Sequence, residues 1–295
     1  MSIETLFLRE FRNRASTLNR RSFLQSTAAL VVLGYSSSRV GAEEPQKDKG
    51  VFRAVELNHL ALDVPVLERS EEFYRIVFGL TTVSHGRGGG EKFMHFQQGF
   101  MNMRTAGEAG MNHFCFSIQN FNGEAVYRQL DQEKTEPFRM GGRNLHCYDP
   151  DRLNVQVQEE KHGWGRINGS QLTEADKGLF KTVRLHHVSV NVTNLKASQE
   201  FYQRIFGLPL LSEKTTPQRV LLGVGPSAYL ELHQSNKAGL NHFCFAVENI
   251  DSESVPAELK RWVTGEISRP EPGVIRFQDP QGIIVEVASL DYKMT

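Results

Sequence analysis

At 295 residues the chain has room for two ordinary domains, and its 34 Lys and Arg balance 34 Asp and Glu to a formal net charge of zero. Both signs are spread along its length, which leaves neither the basic block of a nucleic-acid binder nor an acidic solvating tail. Past the N-terminus no apolar run reaches membrane-spanning length. The 3 cysteines form no Cys-x-x-Cys pair, so Cys115, Cys147 and Cys244 are expected to be free, small core residues rather than a disulfide framework.

Residues 1–42 carry the marks of an export signal. Basic residues precede Arg20-Arg21-Ser22-Phe23-Leu24, an apolar stretch runs from Ala28 to Leu33, and Val40-Gly41-Ala42 offers small residues for cleavage before Glu43. The paired arginines resemble the bacterial twin-arginine signal, a route for proteins that are already folded. The expectation is an exported protein, periplasmic or extracellular, with no membrane attachment after cleavage. Residues 43–50 are polar and read as a disordered spacer.

The remainder repeats itself. Leu57-Asn58-His59-Leu60-Ala61-Leu62-Asp63-Val64 matches Leu185-His186-His187-Val188-Ser189-Val190-Asn191-Val192, and Glu72-Phe73-Tyr74 through Gly79-Leu80 matches Glu200-Phe201-Tyr202 through Gly207-Leu208, both 128 residues apart. Asn112-His113-Phe114-Cys115-Phe116 recurs unchanged as Asn241-His242-Phe243-Cys244-Phe245, and Asp149-Pro150 recurs as Asp279-Pro280. In the second copy 185–192 alternates as a strand. Asn194 can cap a helix that Gly207 ends. Strands follow near 210–214, 219–224 and 228–233, another starts at 241, a helix lies near 253–263, and strands lie near 274–278 and 283–288. Each half thus reads as two βαβββ modules, at 51–160 and 181–290, joined by a linker at 161–180. The fold class is α+β.

Alternation along the strands places the polar residues. Val188, Val190 and Val192 oppose His187; Phe243, Phe245 and Val247 oppose His242; Leu230 and Leu232 oppose Tyr229, Glu231 and His233; Val285 and Val287 oppose Glu286. The apolar faces need a packing partner, most simply the helices. If the sheet curls, the polar faces converge in one cup. A lone strand histidine is more often a satisfied polar residue. Two imidazoles and one or two carboxylates at matching positions instead suit one divalent metal with open coordination positions.

These residues resemble the vicinal oxygen chelate superfamily, which includes glyoxalase I, fosfomycin-resistance proteins and extradiol dioxygenases. The resemblance rests on His187-Val-Ser-Val-Asn-Val, Phe201-Tyr-Gln-Arg-Ile-Phe-Gly-Leu, Asn241-His-Phe-Cys-Phe-Ala-Val and Asp279-Pro-Gln-Gly-Ile-Ile-Val-Glu-Val. It implies four βαβββ modules paired into two open-barrel domains, with metal ligands at His187, Glu231, His242 and Glu286. In the first half His59 and His113 remain, but the places of Glu231 and Glu286 hold Asn102 and Gln156. Two imidazoles and two amides bring no negative charge, so the first half is expected to be metal-poor.

The metal could be Zn, Ni, Mn or Fe(II). Four ligands with two glutamates favour Lewis-acid isomerase or lyase chemistry of a glyoxalase kind, in which the resemblance implies that Glu286 leaves the metal to act as base. Two histidines and one carboxylate favour Fe(II) and extradiol ring cleavage, but the stretch Gly273–Gln278 lacks the His and Tyr that such enzymes place there; Tyr229 and His233 are the substitutes within reach. A third reading is a binder that sequesters a small molecule. The expected partner is a small oxygen-bearing substrate, with the chain a monomer or homodimer.

Overall fold

The computed structural model describes residues 50–292 except 86–88, 141–143, 162–177, 212–214, 249, 251–254 and 264. The expected export signal, nearly all of the expected spacer and most of the expected linker therefore lie outside the described residues.

The first half runs β1 (Ala54–Val64), α1 (Leu67–Phe78), β2 (Thr81–His85), β3 (Glu91–Phe96), β4 (Gly99–Thr105), then β5 (Gly110–Ile118), α2 (Gly123–Gln132), β6 (Phe138–Met140), β7 (Asn144–Tyr148) and β8 (Asn154–Gln158). The second half runs β9 (Thr182–Val192), α3 (Leu195–Phe206), β10 (Arg219–Val224), β11 (Ala228–Gln234), β12 (Gly239–Val247), α4 (Val255–Leu259), β13 (Val274–Gln278) and β14 (Ile284–Ser289). The sheets are ordered β2-β3-β4-β1-β5-β8-β7-β6 and β10-β11-β9-β12-β14-β13, both open rather than closed barrels. In each, the first strands of the two modules pair antiparallel at the centre, β1 with β5 and β9 with β12.

Two expected elements come out smaller. The strand near 210–214 is a single bridge from Leu210 to Leu222, with 212–214 outside the described residues. The helix near 253–263 is helical over Val255–Leu259, because the Leu259 carbonyl accepts from both Trp262 N and Val263 N and the chain tightens into turns.

The repeated motifs bind one half to the other. Helix α3 is capped by Asn194, whose side chain accepts from Ala197 N at 3.1 Å, and ends at Gly207 in the left-handed region at φ 63°. Helix α1 ends the same way at Gly79, φ 64°. The last carbonyls of each helix are taken by chain that leads into the opposite half. Val51 N and Phe52 N donate to Arg204 O and Ile205 O, while Leu179 N and Phe180 N donate to Ile76 O and Val77 O. Residues 179 and 180, expected within the linker, are thus tied to the end of α1.

The apolar strand faces and the helices share one core, in which Val188, Val190, Leu230, Phe243, Phe245, Val285 and Val287 are fully buried. The ring of Phe78 in α1 lies 5.0 Å from that of Phe245 in β12, and Phe206 in α3 lies 5.1 Å from Phe116 in β5. Each helix therefore covers part of the other half's sheet, and each such buried ring contributes about 1.5–3 kcal/mol of burial. Tyr74 Oη donates to Asp279 Oδ2 and Tyr202 Oη to Asp149 Oδ2, both at 2.8 Å. Asp279 also accepts from Gln281 N and Ile283 N, and Asp149 from Asp151 N and Leu153 N. The Asp-Pro motifs are these turns, each latched by a tyrosine of the opposite half. The three cysteines are free and buried.

Candidate metal centre

The four central strands of the second sheet each bring one of the expected ligands to the same face: Glu231 on β11, His187 on β9, His242 on β12 and Glu286 on β14. All four are buried, none more than 4% exposed. His187 Nε2 and His242 Nε2 are 3.0 Å apart, and Glu286 Oε2 lies 3.4 Å from the first and 3.5 Å from the second. Glu231 stands slightly aside. Its Oε2 is 3.4 Å from His242 Nε2, but the mutually close trio is His187, His242 and Glu286.

Two bulges prepare the histidines. Between the β9–β12 pairs Cys244–His187 and Phe245–Leu185 one residue, His186, is extra; between Leu240–Val190 and His242–Ser189 the extra residue is Asn241. A bulge sets consecutive side chains toward one face, so the residue before each ligand histidine reaches its Nδ1. Asn241 Oδ1 lies 2.8 Å from His242 Nδ1, and the Asn241 amide nitrogen donates to Asn191 Oδ1, which fixes the orientation. His242 therefore carries its proton on Nδ1 and turns the Nε2 lone pair into the site. His186 does the same for His187: its Nδ1 is 3.0 Å from His187 Nδ1, and its Nε2 faces the Tyr292 carbonyl at 3.4 Å. A carbonyl only accepts, so the proton of His186 sits on Nε2, and its Nδ1 accepts from His187. Tyr229 stacks on the His187 ring at 4.5 Å and 15°.

Burial holds both imidazoles neutral. His187 falls to about 4, because burial outweighs the neighbouring Glu231, and His242 falls to about 3 through burial and His187. Burial pushes Glu231 up, but His233, His187 and His242 around it prevail and hold it at about 2, ionised. The donor set is then two neutral nitrogens and two carboxylates. Donors that each stand about 2.1 Å from one ion lie roughly 3.0–3.5 Å from one another, which is the spacing observed. The residues fit a divalent first-row metal. The other close donor group, His186, His187 and Cys244, fits less well, because burial drives the Cys244 thiol far up and keeps it protonated.

Two arginines of the site escaped the sequence reading. Arg276 on β13 places Nε 2.6 Å and a second nitrogen 2.5 Å from Glu286 Oε1, leaving Oε2 to the histidines. Arg219 on β10 stands 3.4 Å from Glu231 Oε1, and His233 Nε2 lies 3.3 Å from the same oxygen. Arg276 faces Glu286 across the β13–β14 hairpin, a pairing legible only once the hairpin register is known.

The first sheet builds the same frame with other groups. His59 Nε2 is 3.2 Å from His113 Nε2 and 3.3 Å from Gln156 Oε1, and the bulged Asn58 and Asn112 hold the two Nδ1 atoms at 2.9 and 2.8 Å. Asn102 turns away and donates to Glu91 Oε1 at 2.8 Å. Among the described residues, neither close group of histidine, cysteine and carboxylate donors lies in this half.

Residues 184–287 match the family model described as Glyoxalase/Bleomycin resistance protein/Dioxygenase superfamily. The match covers the second half of the chain, whose motifs the first half repeats. Solved structures with a similar fold span both halves. The 2,3-dioxygenase LapB from Pseudomonas sp. KL28 superposes with a TM-score of 0.65 at 18% identity, over 81% of this chain and 93% of its own. The Mn(II)-bound glyoxalase from Novosphingobium aromaticivorans gives 0.64 at 16% identity over 81% and 83%. Homoprotocatechuate 2,3-dioxygenase from Arthrobacter globiformis gives 0.65 at 17% identity over 82% and 82%. At such identities the likeness is one of fold, and it reaches both kinds of chemistry. No curated protein matches the chain in sequence.

Proposed function

We propose that this chain is a vicinal oxygen chelate protein, an exported metalloenzyme that uses His187, His242 and Glu286 to hold one divalent ion, with Glu231 beside them, and rearranges a small oxygen-bearing substrate beside a carbonyl. The observation that carries this reading is the convergence of two Nε2 lone pairs and Glu286 Oε2 within 3.5 Å of one another. When bound, the ion supplies Lewis-acid polarisation of the substrate oxygens.

The two glutamates divide the work. Arg276 clamps Glu286 Oε1 and keeps that side chain in place as a ligand. Glu231, ionised and outside the tight trio, is the base: its carboxylate takes the proton from the carbon beside the carbonyl and returns it to the neighbouring atom, so that bonds rearrange with no net loss of protons. Tyr229 holds the His187 ring in plane by stacking, and the apolar strand residues behind the site keep water from its floor.

A second reading has its own support. The close trio contains two histidines and one carboxylate, the set used by Fe(II) oxygenases, and would suit extradiol ring cleavage. Against it stands Arg276, in the stretch where a His or Tyr is needed. Tyr229 and His233 do line the pocket, but Tyr229 is engaged in stacking.

The test is metal analysis of the exported protein followed by assays. One Zn, Ni or Mn per chain with no oxygen uptake on catechols supports the isomerase or lyase reading. Iron with oxygen uptake supports the dioxygenase. A chain that folds without metal and still retains a small molecule is a sequestering protein, and the enzyme proposal then fails. Export is tested by substituting Arg20 and Arg21 with lysine, which should trap the protein in the cytoplasm.

A further inference from the structure

We propose that the ligand of this pocket is an anion: a small molecule with a carboxylate beside its metal-facing oxygens, taken by Arg219 with Arg276 across from it. This rests on the metal centre proposed above and adds a substrate class to it.

The pocket over the site encloses about 250 Å³, and both guanidinium groups line it. They come from the two outermost strands of the sheet, β10 and β13, so they bracket the four ligand strands. Their side chains are 30% and 37% exposed, far more open than the ligands, so each reaches toward the pocket mouth. Arg219 Nε is buried without a hydrogen-bond partner, and its nearest carboxylate contact is long at 3.4 Å. A buried donor left unmet costs about 1–3 kcal/mol. A guanidinium in that state is prepared for a planar, two-oxygen acceptor, which a carboxylate supplies in fork geometry. Tyr229 Oη, also buried and unpartnered in the same pocket, offers a further contact.

Charge points the same way. Glu231, Glu271 and Glu286 are the carboxylates of the lining, and Glu271 is occupied by the Tyr292 hydroxyl. Two arginines and a divalent ion outweigh these three by one positive charge. The first half shows what a neutral or repelling frame looks like. The position of Arg219 there holds Glu91, which accepts from Asn102, and the position of Arg276 holds His146. A neutral diol would leave Arg219 Nε unmet and the surplus charge uncompensated.

The test is calorimetric titration of the full chain with oxalate, and with neutral catechol for comparison, in metal-loaded and chelator-treated protein, with metal content measured after each run. Oxalate should bind the loaded protein more tightly than catechol. Compared at equal metal content, Arg219→Gln should weaken oxalate at least 10-fold and leave catechol within about 2-fold. Catechol binding more tightly than oxalate, or oxalate indifferent to Arg219→Gln, overturns the proposal while the metal reading stands. If the protein takes up no metal, the metal reading fails; Arg219-dependent oxalate binding to that protein still supports the anion site, and its absence overturns it.

Discussion

Compared strand by strand, the two sheets are one frame with two sets of side chains. Across β3, β4, β1, β5, β8 and β7 the first half sets Glu91, Asn102, His59, His113, Gln156 and His146. Across β10, β11, β9, β12, β14 and β13 the second half sets Arg219, Glu231, His187, His242, Glu286 and Arg276. The central histidines agree to within 0.2 Å in their Nε2 separation, 3.2 Å against 3.0 Å. The bulges that fix their Nδ1 atoms recur in both sheets. What changes is charge. Moving outward from the histidines, the second half places carboxylates and then guanidinium groups, whereas the first places amides and then a carboxylate or an imidazole. The two halves thus share a backbone frame and differ in the charge of their donors, and anionic donors help to offset the cost of stripping water from a divalent ion.

The largest break in this comparison is Glu286→Gln, which copies Gln156 into the second half. It removes a ligand charge and leaves Arg276 without its carboxylate. Metal affinity should fall at least about 100-fold, beyond the roughly 10–100-fold typical of losing an outer-shell partner; unchanged metal content would show that Glu286 is not a ligand. The reverse graft, Gln156→Glu, should give the first half a second ion, more weakly held because no arginine orients the new carboxylate. Dialysis against Mn(II) would detect it, and a chain that still takes up a single ion would mean that charge is not what separates the halves.

Next in size is His186. Replacement by leucine frees His187 Nδ1 and should lower metal affinity about 10–100-fold. Replacement by asparagine, the residue at the matching position 58, should stay within a few-fold of wild type. Equal losses in both variants would mean that His186 acts by packing and not by setting the tautomer.

The smallest effects belong to the latches that the two halves share. Tyr74→Phe and Tyr202→Phe should each cost about 1.5–3 kcal/mol in denaturant unfolding, since each removes a hydrogen bond to a buried carboxylate, with no change in metal content. Burial raises the Asp149 carboxyl to about 6, although the Tyr202 hydroxyl and the Leu153 and Asp151 amides pull it back. Because the folded carboxyl takes a proton more readily than the unfolded one, the stability that its proton confers is full below the ordinary carboxyl range and is lost as pH rises through about 6. The Tyr202 bond favours the ionised form, so the penalty of Tyr202→Phe should be largest above pH 6 and shrink in acid. A pH-independent penalty would show that the pair is not tuned this way.

Much of the site was legible because strand alternation is a strict period of two. Val188, Val190, Phe243, Phe245, Val285 and Val287 are all in the core, and their neighbours of opposite parity, His187, His242 and Glu286, meet over one pocket. The residues that were missed break that period or depend on pairing. His186 and Asn241 reach the site through bulges, which insert one residue and are silent in a hydrophobicity pattern. Arg276 joins Glu286 across a hairpin, and Arg219 joins Glu231 across β10 and β11. The tyrosine latches link motifs more than 50 and more than 200 residues apart, visible as repeats but not as partners.

The most direct test of the claim that the second half alone holds the metal is the number of ions per chain in wild type, His242→Ala and His113→Ala, measured by mass spectrometry on purified protein. The account predicts one ion per wild-type chain, none in His242→Ala and one in His113→Ala. Two ions per wild-type chain, or a loss of metal in His113→Ala, would contradict it.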